Sequence, residues 1–351
     1  MLRFFRKNDP FLLLFIAAFL VITRAVLLIV GVESPALLFN AEALGETFNV
    51  TPTDPLYSVN GAGPLFAFFY GLLTFLFDST YTISAILAAI LIFVQAFILN
   101  TTLQRNAAFQ ETNFLPGFLY VVLASASEEF IFLSPVLLAT TFLLLALDKI
   151  LTHLKYRGSE ENILTTGFLI GLAALSYAPY FWLVPLVILI YIMYSSTLVR
   201  RYFLMTYGFI FSLLIFWIYY LIWQQGGTFV SGYFGLAFST HFAEPAILSK
   251  LALIFGLPIL CSLLALAQGF QGLGFTNHQI LTQRTMLWLL IFGFVMIWMS
   301  PSAQVVNAIT IIIPLTFFTS QFLITRGKKW VGESIFLLLI VVALTIRFIQ
   351  L

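Results

Sequence analysis

The sequence predicts an all-α fold: a polytopic transmembrane helical bundle of about 11–12 hydrophobic helices, with an external interfacial helix after the first. Three observations carry that prediction. Twelve apolar stretches, each long enough for at least half a membrane crossing, fill the chain from Phe11 to Ile349. Apolar residues make up 61% of the chain and charged residues only 9%, a balance foreign to soluble globules. The charges are also sorted, with basic residues in the loops of one side and lone carboxylates in the loops of the other.

The chain opens with Met1-Leu-Arg-Phe-Phe-Arg-Lys, the basic flank of a signal sequence. The apolar run that follows is about 20 residues long, too long for a cleaved signal, and no small-residue cleavage site comes after it, which predicts a signal anchor. Arg3, Arg6 and Lys7 place the N-terminus in the cytoplasm. The next loop holds Glu33, Glu42, Glu46 and Asp54 without Lys or Arg, as expected outside. Glu42 and Glu46 stand four apart on an expected interfacial helix, Ala36 to Phe48.

Basic loops then recur at Arg105, at Lys149, Lys155 and Arg157, at Arg200-Arg201, at Arg284, and at Arg326, Lys328 and Lys329. They alternate with basic-free turns at Glu128-Glu129, Tyr177-Ala178-Pro179, Gly226 to Pro245 and Ser300-Pro301-Ser302. Segments 64–77 and 81–103 would give two crossings where this alternation allows one, so the shorter, 64–77, is expected not to cross. The result is about eleven crossings and an external C-terminus, with Arg347 a mild exception.

Length adds a further expectation. At ~1.5 Å per residue, 14 residues reach only ~21 Å against a ~30 Å hydrocarbon core. Segments 64–77, 114–127 and 163–176 are all near that length. Short helices predict an outward-facing cavity floored by Glu128-Glu129 and Tyr177-Ala178-Pro179, because irregular backbone at membrane depth must line protein or water. A weak internal repeat pairs the two hairpins. At an offset of 50, Gly117-Phe118-Leu119 matches Gly167-Phe168-Leu169, Ala124 matches Ala174, and Leu133-Ser134-Pro135 matches Leu183-Val184-Pro185.

No hydrophilic stretch is long enough to fold alone, so residues 1–351 read as one membrane domain with membrane lipids as its surroundings. Cys261 is the only cysteine, which excludes an internal disulfide and thiolate metal sites. His153, His241 and His278 fall in three different loops, without metal-ligand spacing. A net charge of +2 does not point to nucleic acid.

Few residues remain to carry chemistry. Glu33 directly follows the first helix; a carboxylate facing a confined cavity serves as general base toward a hydroxyl or holds a divalent cation. Glu128 and Glu129 are adjacent carboxylates at a membrane-depth turn, suited to ion binding, proton handling or acceptor contact, or to plain solvation of the turn. Arg24, well inside the first helix, is the candidate for an anionic lipid phosphate, with snorkelling to the interface as the alternative. Asn60, Tyr177 and His241 complete the candidate substrate contacts; Tyr177, Tyr180 and Trp182 also read as an interfacial aromatic belt.

The run Arg24, Glu33, Ala41-Glu42-Ala43-Leu44-Gly45 and Gly63-Pro64-Leu65 resembles the opening of the GT-C superfamily of polytopic membrane glycosyltransferases. Leu133-Ser134-Pro135 and Gly167-Phe-Leu-Ile-Gly171-Leu-Ala-Ala extend the likeness over residues 10–195, leaving 196–351 as C-terminal transmembrane helices. The start Arg6-Lys7-Asn8-Asp9-Pro10 is similar to that of an integral membrane protein family from Bacteroidetes. The resemblance implies transfer of a sugar from a polyprenyl-phosphate donor at the outer face of the inner membrane. Glu33 would then act on the acceptor, and Glu128 or Glu129 would stand near a second acidic site. The sequence departs from the family where a lone Glu33 followed by Ser34 replaces the usual Asp, and where the external face lacks Lys and Arg. Three functions follow: a glycosyltransferase, a non-catalytic membrane subunit of a cell-envelope assembly, or a transporter or flippase. The last needs midplane polarity, and Gln95, Asn307 and a few Ser and Thr are all that the sequence supplies.

Overall fold

A computed structural model describes residues 5, 9, 11–30, 61–77, 80–127, 130–156, 160–195, 199–222, 226–238, 245–270, 274–298, 305–325 and 329–349. Among the described residues the fold is 90% helical, without a strand, and six helices are long and apolar enough to cross a membrane. The protein is an integral, multi-pass, all-α bundle. The expected interfacial helix 36–48 lies outside the described residues.

The chain order begins with α1 (Phe11–Val30), α2 (Pro64–Leu76), α3 (Thr80–Arg105), α4 (Leu115–Ala124) and α5 (Pro135–Tyr156). Next come α6 (Glu160–Ser176), a 3-10 turn (Ala178–Trp182), α7 (Leu183–Tyr194), α8 (Val199–Ile222) and α9 (Gly226–Phe238). Then follow α10 (Pro245–Phe270), α11 (Asn277–Trp298), a second 3-10 turn (Val305–Ala308), α12 (Ile309–Thr325) and α13 (Lys329–Ile349).

Local chemistry starts several of these helices. The Asp9 side chain accepts from the Phe11 N–H at 3.1 Å and opens α1. Ser134 Oγ accepts from the Leu137 N–H at 3.1 Å ahead of Pro135, whose missing N–H costs nothing at a first helical position. Thr276 and Gln279 exchange backbone and side-chain hydrogen bonds of 3.0 and 3.4 Å, a reciprocal cap that opens α11.

The hydrogen bonds between helix ends sort the bundle into two layers. One is the basic layer. There the Phe114 N–H donates to the Phe5 carbonyl at 3.0 Å, Lys155 Nζ to the Arg105 carbonyl at 3.0 Å, and Gln110 to the Gly274 carbonyl at 2.7 Å. Arg105 also pairs with Asp148, and His153 Nε2 meets Ser195 Oγ at 2.9 Å. The opposite layer holds the irregular segments after α4 and α6, and is termed here the break layer.

α2 has both flanks in the break layer. The Gly63 N–H, at its start, donates to the Ser176 carbonyl at 2.9 Å, while Ser84, near the start of α3, accepts from the Leu133 N–H at 3.0 Å. α2 therefore does not cross, as the alternation of charged loops requires. Its exposed stripe Phe68, Leu72, Phe75 and Leu76 marks it as a surface-lying helix with Phe66 and Tyr70 turned inward. α9 behaves likewise. Phe229 packs 5.0 Å from Tyr220, and the Ala237 carbonyl accepts from Trp182 Nε1 at 3.2 Å, so this helix too stays in the break layer. The sequence reads that stretch as a loop because its aromatics at 229, 233, 234 and 238 are diluted by Gly, Ser and Thr. With α2 and α9 set aside, the chain order of the other eleven helices among the described residues fits an alternating path between the two layers.

α6 and α8 form the tightest pair. A Cβ built on Gly167 would lie 2.0 Å from the Met205 carbonyl oxygen, and one on Gly208 would lie 2.4 Å from that of Leu164. Gly167 and Gly171 thus make a small-xxx-small face that brings two backbones together, the packing route open to helices without a hydrophobic driving force between them. α12 sits at the centre of the bundle. Its residues 309–323 are all buried, and it packs on α4, α5, α10 and α11.

Candidate functional site

α4 has ten residues and rises only ~15 Å, so the chain turns irregular before reaching the far surface. The described part of 125–134 is buried, and buried backbone without partners costs several kcal/mol per group in a low-dielectric setting, on the order of 2–7. Protein groups supply those partners. Ser125 and Ala126 N–H groups fold back on Val122 and Leu123 carbonyls at 3.2 Å each, and the Phe130 N–H reaches the Ser127 carbonyl at 3.3 Å. Arg24, from α1, then donates through one guanidinium nitrogen to the Phe130 carbonyl at 2.7 Å and through another to the Ile131 carbonyl. Arg24 is itself buried. The one charge inside α1 therefore seats the break after α4.

The second break, after α6, is held differently. The segment Gly61–Gly63 lies antiparallel beside it: the Ala178 N–H donates to the Gly61 carbonyl at 3.0 Å, and Ala62 bridges Tyr177. A Cβ on Gly63 would stand 2.0 Å from the Leu175 carbonyl oxygen, so only glycine fits. The two hairpins that match in sequence thus end in two breaks, each seated by an element from the N-terminal part of the chain.

Beneath the breaks runs a buried polar chain. Tyr177 donates to Asn307 Oδ1 at 3.0 Å and stands edge-on to Tyr180 at 5.3 Å. The Tyr180 hydroxyl shares hydrogen bonds with Thr310 at 2.6 Å and Thr140 at 3.1 Å. Next to Thr140, Thr141 receives a 2.8 Å hydrogen bond from Gln95 Nε2, which also reaches the Leu137 carbonyl at 2.6 Å. Tyr120 completes the chain by donating to Gln95 Oε1 at 2.7 Å. The chain joins α3, α4, α5, the turn after α6 and the start of α12.

Two expectations change. Tyr177 and Tyr180 do not form an exposed belt; they are 1% and 0% exposed, because hydroxyl partners exist within the bundle. Only Trp182 keeps an exposed face. The turn Tyr177-Ala178-Pro179 is likewise packed rather than the floor of an open cavity, filled by its own tyrosines and by Asn307 and Thr310.

Of the predicted site residues, Arg24 and Tyr177 are described and Glu33, Asn60, Glu128, Glu129 and His241 lie outside the described residues. Arg24 lies against the residues that follow Glu128-Glu129 in the chain, whereas Tyr177 faces Asn307 in the 3-10 turn before α12. Among the described residues no three His, Cys, Asp or Glu side chains gather as a metal site. Tyr120, Thr140, Thr141 and Thr310 are not among the residues expected from the sequence; Thr140-Thr141 carries a signal as a polar pair inside an apolar run, whereas Tyr120 and Thr310 stand singly in theirs. No family model matches the chain, and neither a curated protein nor a solved structure matches it.

Proposed function

We propose that the chain acts at the outer face of a bacterial inner membrane as a GT-C-like protein, transferring a sugar from a polyprenyl-phosphate donor to an acceptor. In this reading the break layer faces outward, the N-terminus is cytoplasmic and the C-terminus external. Glu33 takes the proton of the acceptor hydroxyl as its oxygen bonds to the sugar's anomeric carbon and the bond to the polyprenyl phosphate breaks. Glu128 and Glu129 supply the second acidic position.

One observation carries the proposal. Arg24 grips the carbonyl of Phe130, the residue after Glu129, while Glu33 follows nine positions beyond Arg24 on the same chain. The helix climbs six residues to Val30, ~9 Å, and three more residues add at most ~11 Å, so both acidic segments start from one anchored point. Most Lys and Arg, Arg105 and Lys155 among them, stand toward the opposite layer, with Lys250 near the start of α10 and Arg347 near the end of α13 as exceptions, and this bias supports the orientation.

The second reading is a non-catalytic membrane subunit of a cell-envelope assembly. What favours it is the same guanidinium: two of its nitrogens are committed to backbone carbonyls, which leaves less of Arg24 for a donor phosphate.

The test compares lipid-linked sugars and surface glycans in a deletion strain complemented with wild-type, Glu33→Gln or Glu128→Gln/Glu129→Gln protein. Loss of one sugar from a defined glycan, not restored by well-expressed Glu→Gln variants, supports transfer. Full restoration by every carboxylate variant overturns it in favour of the subunit reading.

A further inference from the structure

We infer that the wedge between α8 and α9 is a binding slot for the acyl chain of a bilayer phospholipid. The wedge is an apolar groove of about 590 Å³ lined by Trp217, Leu221, Gly226, Gly227, Val230 and Ser231, within the ~300–1,000 Å³ range of small-molecule sites. None of the six lining side chains carries a charge, so the slot suits a hydrocarbon chain and not a head group.

Its position commits the occupant. α8 is the least buried of the six long apolar helices, and Leu214, Ile218, Leu221 and Ile222 of that helix face outward beside the groove. The groove is therefore continuous with the membrane-facing perimeter. Trp217 stands five residues before the end of α8, ~7.5 Å below the break layer, the depth at which an acyl chain begins. Gly227 shapes the slot, for a Cβ built there meets nothing within 4 Å, and the space a side chain would occupy is left open. α9 continues the apolar surface through Val230, Phe234 and Phe238, exposed at four-residue spacing. This inference rests on the membrane-spanning fold and is independent of sugar transfer.

The experiment uses full-length protein in nanodiscs containing a phosphatidylcholine with a diazirine on its acyl chain; adducts are mapped by mass spectrometry. The expected result is labelling at Leu221 and Val230 about fivefold above Ile210, an exposed α8 residue outside the groove. Gly227→Trp is expected to remove that excess while Ile210 labelling and the thermal midpoint stay unchanged; if that variant fails to fold, Ser231→Phe replaces it. Equal labelling at all three residues overturns the inference, as does labelling that survives the filled groove. Labelling obtained only with a diazirine-bearing isoprenoid phosphate, or a groove-to-groove cross-link between two copies of the chain, also overturns it.

Discussion

Arg24 on α1 donates to the carbonyl of Phe130, 106 residues further along the chain, at 2.7 Å. A second guanidinium nitrogen takes the next carbonyl, that of Ile131. A charge buried in a membrane helix is expensive, and here it is matched to backbone oxygens that the shortness of α4 leaves without helical donors.

Arg24→Ala should therefore destabilise the protein by removing donors from two buried carbonyls, at about 1–3 kcal/mol for each group left unsatisfied. Arg24→Lys should fall between, because an ammonium lacks the planar fork that spans adjacent carbonyls. Thermal midpoints in detergent check the order wild type, Lys, Ala. A midpoint for Arg24→Ala equal to wild type would contradict the clamp.

Close backbone approach makes a second, sharper contrast. Gly63→Ala and Gly167→Ala each place a methyl group 2.0 Å from a carbonyl oxygen and should cost about 1–3 kcal/mol or prevent folding. Gly71→Ala, on the same helix that Gly63 precedes, meets nothing within 4 Å and should leave the midpoint near wild type. Expression and melting of the three variants side by side decide the matter.

The buried polar chain should show coupling. A double-mutant cycle of Gln95→Leu and Tyr120→Phe is expected to give an interaction energy of about 0.6 kcal/mol, up to ~1.7, the scale of hydrogen bonds between membrane helices. Tyr120→Phe combined with Trp182→Phe, whose indole bonds to the Ala237 carbonyl, should be additive within about 0.5 kcal/mol. Unfolding in mixed micelles supplies the numbers, and a null Gln95–Tyr120 term would sink the network.

Much of this architecture was legible from charge. The loops rich in Lys and Arg gave the alternation, and the parity conflict at 64–77 singled out the segment whose two flanks both lie in the break layer. Arg24 stood out as an intramembrane charge, but its partners were invisible: carbonyls carry no sequence signal, and Phe130 and Ile131 look like any apolar pair. The packing of Tyr177 and Tyr180 was hidden for a related reason. A tyrosine next to a turn reads as interfacial unless the hydroxyl partners, Asn307 and Thr310, are known to lie in reach from 130 residues away. The centrality of α12 was equally unreadable, since an apolar helix that faces protein has the same composition as one that faces lipid.

Sidedness offers a direct check on α2. In a Cys261→Ser background, Phe77→Cys should react with a membrane-impermeant maleimide from one side, and Glu111→Cys from the other. Reaction of Phe77→Cys from the Glu111 side would mean that α2 crosses.

The most direct test of the central proposal, that Arg24 ties the starts of the two acidic segments to one anchored point, is a spin–spin distance between labels at Glu33→Cys and Glu129→Cys in the same background. The anchored geometry predicts a narrow distribution centred below about 30 Å, given the ~20 Å maximum reach of the chain from Arg24 to residue 33, and a broad one once Arg24→Ala is added. A distance well beyond 30 Å, or a distribution that Arg24→Ala leaves unchanged, would contradict it.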